Sequence, residues 1–375
     1  MTASPLLSVP GAVPAEGRDA GIAAHYGNPL VEQRELEAGR AIVDLSNRGV
    51  VAVSGPDRLG WLHSMASQAL QHLAPGESAE ALFLDANGHV EHAVHLVDDG
   101  ETAWLVVEGS EAAALAGFLD RMRFMLRVEV ADRSAEFAVI GGFGDALAQA
   151  PAGAAPDWAD PWAALQRGGH QYAREAEHPA SAWRWRERIV PAAALDGLAA
   201  EAAAGRVRLA GTLALEALRI AAWRPRLAAE VDEKTVPHEL DWLRSAVDLG
   251  KGCYKGQETV AKVLNLGRPP RRLVMLHLDG SDTILPEPGD AVVALKDQGD
   301  GEPERRTVGR VTSAGMHHEL GPIALAVVKR AVPAGLELIV EAHGVDVAAA
   351  QQEIVPADAA SAVDVPRIPR LGPRA

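Results

Sequence analysis

The residues best placed to do chemistry lie together in Lys251-Gly252-Cys253-Tyr254-Lys255-Gly256-Gln257-Glu258, which holds the only cysteine of the chain. Two glycines bracket the thiol and its aromatic neighbour, permitting a tight backbone path and close approach to a ligand. Lys251 and Lys255 favour a thiolate, because nearby cations lower a thiol's pKa. Glu258 can pair with either lysine or accept hydrogen bonds from the edge of a heterocycle. Lysine usage singles out the same stretch. The chain has six lysines against thirty arginines, and three of the six fall within 251–262. A compact ammonium whose pKa shifts readily differs from a guanidinium, so the choice of lysine here is chemically meaningful. Two readings stay open on these residues alone: a functional thiol, or an inert cysteine buried in a turn, since cysteine is among the most buried residue types.

Charge points to the same region. Residues 251–272 carry Lys251, Lys255, Lys262, Arg268, Arg271 and Arg272 against Glu258, a local excess of +5 in a chain of net charge −15. Such a patch attracts an anionic ligand. Alternatively, it is a solvated basic linker. Arg219, Arg224 and Arg226 can add bidentate contacts to a carboxylate.

Other constellations fall away. His89, His92 and His95 sit at i, i+3 and i+6 on a strand, where alternate side chains face opposite ways, so the three cannot converge on a metal. The expectation is a solvated pair, His89 and His95, with His92 buried and hydrogen-bonded; no metal site is expected. His317-His318 reads as a turn. Gly142-Phe143-Gly144 follows a strand, but Leu147 occupies the third glycine position of the dinucleotide fingerprint. Gly250-Lys251-Gly252 lacks phosphate-loop spacing.

These residues need a framework, and 375 residues at 48% hydrophobic and 23% charged content provide a globular chain of two or three domains. One cysteine excludes a disulfide framework and a self-contained thiolate metal cage. The acidic balance argues against a nucleic-acid coat or an anionic-membrane binder. No apolar run reaches membrane-spanning length, and the Pro- and Ala-rich start lacks the regions of a signal peptide, so a cytoplasmic location is expected.

Residues 41–53 hold two short β-branched runs around Ser46-Asn47, read as adjacent strands. Spacing predicts a helix from Arg58 to Leu70, strands at 81–85, 90–97 and 103–108, and a helix over 110–122. Strands follow at 127–130 and 137–140. Residues 145–182 form a long connection, with a strand near 183–189. Helices are expected over 198–204 and 211–222, the latter with Leu213, Ala217 and Ile220 as its apolar stripe. Beyond Gly267-Arg268-Pro269-Pro270, six short apolar runs (272–278, 290–295, 307–314, 322–328, 336–341 and 345–349) suggest a small β-barrel, with a polar tip at 297–304. The fold class is α+β. Expected domains are a disordered tail at 1–20, a body at 21–266, a barrel at 267–350 and a mobile tail at 351–375.

Residues 251–258 closely resemble the K-G-C-[FY]-x-G-Q-E motif of the YgfZ folate-binding family, which is related to the T-protein (aminomethyltransferase) of the glycine cleavage system. Ala41-Ile42-Val43-Asp44-Leu45-Ser46 resembles the family's V-D-L-S strand. Leu218-Arg219-Ile220 with Pro225 resembles its L-R-I…P helix end, Val236-Pro237-His238-Glu239 its I-P-x-E turn, and Ala261-Lys262 its closing A-R/K. The resemblance covers most of 25–350. It implies an interleaved folate-binding body of aminomethyltransferase type, completed by the barrel into a three-lobed ring around a folate channel. It further implies non-covalent tetrahydrofolate or a derivative, held by Arg219, Lys251, Tyr254, Gln257, Glu258 and Lys262, with Cys253 as the functional thiol. The implied role is an accessory one in iron–sulfur cluster assembly or repair, with iron–sulfur client or assembly proteins as partners. Neither membrane nor direct nucleic-acid contact is expected.

Two departures bear on activity. The aminomethyltransferases carry a catalytic aspartate on the strand that here reads Val90-Glu91-His92-Ala93-Val94-His95. An alanine or neutral imidazole cannot replace a fixed carboxylate beside a reacting iminium. Their helix end often reads R-[IL]-E-x-G, whereas this chain has Arg219-Ile220-Ala221-Ala222-Trp223. Folate binding without aminomethyl transfer is therefore expected, with a T-protein-like one-carbon transferase as the rival reading. A third reading is a tRNA-modification factor acting indirectly.

Overall fold

The structure, a computed structural model, describes residues 3–174, 178–265, 268–281, 284–296 and 303–359. Two five-stranded sheets and a barrel share one core. The first sheet is antiparallel, in the order Ser78–Leu84, Val90–Asp98, Thr102–Glu108, Arg48–Ser54, Glu129–Asp132. The second runs Trp158–Ala159, Trp185–Pro191, Phe137–Phe143, Ile42–Asp44, Leu209–Ala210, with only its last pair parallel. Six strands between Arg271 and Glu353 close the barrel.

Strand alternation explains why these segments read as unbroken apolar runs. In Thr102–Glu108, Ala103, Leu105 and Val107 pack on the helices Arg58–Met65 and Ala112–Met122, while Trp104 and Val106 face the central core. Both faces are buried, so both parities are apolar. The barrel repeats this arrangement. Val274, Leu276 and Leu278 fill its interior, whereas Leu273 and Met275 turn outward into the central core. A third packing layer covers the far side of the second sheet, where Ile140 and Val190 meet Leu6, Leu195 and Leu198.

Several expectations need correction. The runs within 41–53 are strands but not neighbours: Ile42–Asp44 joins the second sheet and Arg48–Ser54 the first. Leu45, Ser46 and Asn47 are the crossover, and this interleaving builds the body. The N-terminal segment is not a disordered tail. Ser4 caps the turn Pro5–Ser8, and Leu6 is fully buried because it seals the second sheet's outer face. The helix from Arg58 stops at Met65, since Ser67 turns to pair its backbone N–H with Leu82 and its hydroxyl with the Ala246 carbonyl. In Thr212–Ala221 the buried stripe is Ala214, Leu215, Ala217, Leu218 and Ile220, and Leu213 points to solvent. The last strand runs to Glu353, and Ile354, Val355 and Ala359 are buried in the central core. The expected mobile tail therefore begins with packed residues; its remainder, 360–375, lies outside the described residues, as do residues 297–302 of the polar tip.

Candidate functional site

The thiol segment is a loop held at both ends. Asp248 accepts from the Gly250 N–H at 2.7 Å, and a helix starts at Gln257 and runs to Asn265 on its buried Val260 and Leu264. Between them Lys251 turns inward. Its ammonium donates to the carbonyls of His63 and Ala66 and, at 3.2 Å, of Gln68, and it lies 4.9 Å over the Tyr254 ring. Burial brings the Lys251 pKa down to about 8. These carbonyls sit at and just beyond the end of the Arg58–Met65 helix, where orphan acceptors need partners. Lys251 is thus the anchor of the loop, not a free ligand-binding cation. Tyr254 is buried beneath it, and burial with Asp248 pushes its phenol up to about 12. Gln257 donates back to the Lys251 carbonyl at 3.3 Å.

Outside this anchor the loop is open. Cys253 is exposed, as are Gly252, Lys255, Glu258 and Lys262. The exposure removes the reading of Cys253 as a buried filler. Gly256 has φ +84°, and a Cβ there would lie 2.7 Å from the Asp85 carbonyl oxygen. Reciprocally, a Cβ on Gly88 would lie 2.8 Å from the Thr259 Cβ. The Asn87-Gly88 hairpin tip therefore seats directly against the thiol loop, which requires glycine on both sides.

A separate cavity of about 60 Å³ lies where the two sheets meet the Thr212–Ala221 helix. Of the residues the resemblance implies for folate, only Arg219 lines it, together with Arg224 and Arg226, the other two arginines read as candidate carboxylate contacts. Arg219 is fully engaged. Its five donors go to Glu216 (3.1 and 2.8 Å), Glu230 (3.0 Å), the Ser313 hydroxyl and the Arg224 carbonyl (both 2.6 Å). Guanidinium has five N–H groups, so none remains for a ligand carboxylate. Arg226 is likewise consumed by Asp19, Glu108 and Glu216. Arg224 bridges Glu80 and Asp160, which hold the Trp242 and Trp183 indole N–H groups. Burial would raise the Glu216 carboxyl, but Arg219 and Arg226 overcome it and hold the pKa at about 2.

Sequence reasoning missed most of this cavity. Arg48 and Glu108 face each other across adjacent strands and form an ion pair. Glu187 shares a buried face with Trp185 and Ile189, a period-two signal legible in Trp185-Arg186-Glu187-Arg188-Ile189. His95, expected in solvent, instead stacks on Trp158 with ring centres 3.9 Å apart and bonds Glu187 at 2.8 Å. Burial raises the Glu187 carboxyl, but His95 and Arg48 overcome this and leave its pKa below the usual value. His92 points the other way, to Glu111 at 2.8 Å, and His89 pairs with Asp85. Among the described residues no cluster of His, Cys, Asp and Glu could hold a metal ion.

The basic stretch is not a free attractor. Lys255 pairs with Glu91 at 3.2 Å, Arg271 with Asp232 and Glu239, and Arg272 is buried at the barrel end, donating to the Val332 carbonyl and Gln351. Lys251 is taken up by backbone carbonyls, and Lys255, Arg271 and Arg272 meet acidic neighbours, while Lys255, Lys262 and Arg268 stay exposed.

Comparison with known proteins agrees with this architecture. Residues 271–356 match the glycine cleavage T-protein C-terminal barrel domain. The whole outline is similar to the crystal structure of the glycine cleavage system aminomethyltransferase T from Bartonella henselae, with a TM-score of 0.66 at 21% identity, over 92% of this chain and 94% of that one. The molecule is thus an α+β protein of the aminomethyltransferase fold, carrying a T-protein C-terminal barrel. In sequence it is 25% identical over 326 residues to a chloroplastic protein of Arabidopsis thaliana that bears the name of a transferase, covering 83% of this chain and 70% of that protein. The relationship to both is distant. No helix among the described residues is long and apolar enough to cross a membrane.

Proposed function

We propose that this protein binds a reduced folate in its central cavity and acts as an accessory factor in iron–sulfur cluster assembly or repair, with Cys253 as its working thiol. The observation that carries the reading is the exposed Cys253, presented on a loop that Lys251 anchors from beneath and that Gly256 fits against a neighbouring hairpin. A single thiol cannot hold a cluster. It acts by meeting a cluster, persulfide or cysteine on a partner, and exposure is what that requires.

For a folate the cavity offers polar walls, four guanidinium groups and four carboxylates, beside the indoles of Trp183, Trp185 and Trp242. Its volume is that of about two water molecules, so a ring enters only as side chains give way. Arg48, Glu216 and the Trp183 and Trp242 walls would hold the group. When bound, tetrahydrofolate supplies ring nitrogens able to carry a one-carbon unit. The work is assigned to the cytoplasm, with iron–sulfur proteins as partners and any effect on tRNA exerted through them.

A transferase reading has the fold and the name of the plant relative in its favour. Against it, the strand position facing the cavity beside His95 is Ala93, which carries no carboxylate. Titration with tetrahydrofolate, run beside an aminomethyl-transfer assay on an aminomethylated carrier protein, tests both. Binding without release of ammonia and methylene-tetrahydrofolate is expected. Turnover would establish the transferase instead, and no binding would remove the folate reading.

A further inference from the structure

We infer that the turn at 122–126 is the docking tip for the protein that Cys253 meets, seating in an apolar pocket of that partner bordered by carboxylates. This rests on the reading of Cys253 as the working thiol. Eleven large apolar side chains are exposed among the described residues; four of them fall within these five positions, and the others are scattered singly. Phe124 is 81% and Met125 98% exposed, the two highest values of the set. A cluster of this kind marks a contact surface, whereas single exposed apolar residues do not. Phe124 also has φ +45°, a left-handed backbone that strains a bulky residue and suits glycine. An aromatic ring held out in water on strained backbone contributes nothing to packing, and strain of this kind gathers where a surface has work to do.

The tip is held in place. Trp61 Nε1 donates to the Met122 carbonyl at 3.3 Å, Arg123 donates to the Val128 carbonyl at 3.2 Å, and Asp57 accepts the Arg127 N–H at 2.9 Å together with its guanidinium. Docking therefore orders little backbone. Asp57 and Trp61 lie at the start of the Arg58–Met65 helix, and the end of that helix and the turn beyond it supply the His63, Ala66 and Gln68 carbonyls that anchor Lys251. One helix thus ties the apolar tip at one end and the thiol loop at the other, roughly 14 Å apart along its axis at about 1.5 Å per residue. A standard interface, roughly 30 Å across, covers both. Charge selects the occupant. Arg121, exposed and without an ion pair among the described residues, joins Arg123 and Arg127 around the tip against Asp57 and Asp120. That excess of one positive charge in a chain of net −15 is too small to hold an anionic bilayer. A second copy would bring like charges together across a two-fold axis. A different protein with an acidic border meets both the apolar and the basic parts.

The test uses the full chain in cells lacking the endogenous protein, with the photo-crosslinker p-benzoylphenylalanine replacing Met125 or, separately, Lys255 beside the thiol. Irradiation should join both variants to the same iron–sulfur protein. Phe124→Gly with Met125→Ser should cut the position-255 adduct by about tenfold or more, as removal of an interface anchor does, and Arg121→Glu should reduce it less. The thermal midpoint of the double variant should not fall, since Met125 is exposed and glycine relieves the backbone at 124; Met125→Ser alone decides if it does. An adduct at 255 with none at 125, or one undiminished in the double variant, overturns the docking tip and leaves the thiol reading standing. An adduct undiminished in Arg121→Glu overturns the acidic border. A self-adduct, or sedimentation of wild type with phosphatidylglycerol–phosphatidylethanolamine vesicles, overturns the choice of partner. Adducts at both positions with one protein unconnected to iron–sulfur clusters uphold the tip and overturn the iron–sulfur reading.

Discussion

Replacing Arg219 separates a ligand contact from a structural tie. In Arg219→Met, Glu216 and Glu230 lose a shared cation, and the Ser313 hydroxyl and Arg224 carbonyl lose a donor. All lie in a region where Arg219 is 4% exposed, so water cannot readily take its place. Removing one partner of a buried charge network costs about 3–5 kcal/mol. At an unfolding entropy of about 2.1 cal/mol/K per residue, this chain should lose roughly 4–6 °C in thermal midpoint. Because Ser313 belongs to the barrel strand Glu304–His317 and Glu216 to the body helix, the loss loosens barrel against body. Thermal unfolding followed by circular dichroism measures the shift, and tetrahydrofolate affinity measured well below the midpoint should change far less. A midpoint within about 1 °C of wild type, together with lost affinity, would show that Arg219 is a folate ligand and that the network is dispensable.

Three more outcomes are expected. Cys253→Ser, at an exposed position, should change stability by less than about 0.5 kcal/mol, yet fail to restore iron–sulfur enzyme activity in cells lacking the protein; full restoration would remove the thiol from the function. Gly256→Ala forces a side chain into positive φ and against the Asp85 carbonyl, so about 1–3 kcal/mol should be lost and complementation should weaken although Cys253 is intact; an unchanged midpoint in chemical denaturation contradicts the loop packing. Glu216, held at about 2 against an ordinary 4.5, is depressed in the folded state, so its contribution is complete above pH 4.5 and is lost as pH falls toward 2. At about 1.4 kcal/mol for each tenfold change in proton affinity, this is on the order of 3 kcal/mol, and a urea midpoint that stays flat between pH 6 and 3 would contradict it.

The sequence by itself determined what depends on local pattern. Short apolar runs marked the barrel strands and the Ser78–Leu84, Val90–Asp98 and Thr102–Glu108 strands, and Asn87-Gly88 marked the hairpin between the first two of these, because apolar runs and turn chemistry are properties of neighbouring residues. The eight residues from Lys251 to Glu258 announced a special loop for the same reason. Tertiary structure decided the partners. Lys251 and Arg219, each a cation of the kind that meets an anionic ligand, were captured by acceptors far away in sequence: carbonyls of residues 63–68 for one, and Glu230 and Ser313 for the other. Arg48 and Glu108 carried little local signal, because a charged residue at a strand end looks like any solvated one until a second sheet closes over it. Charge identity is written in the chain, but whether a charge is free, paired or buried is set by which strands the fold brings opposite it.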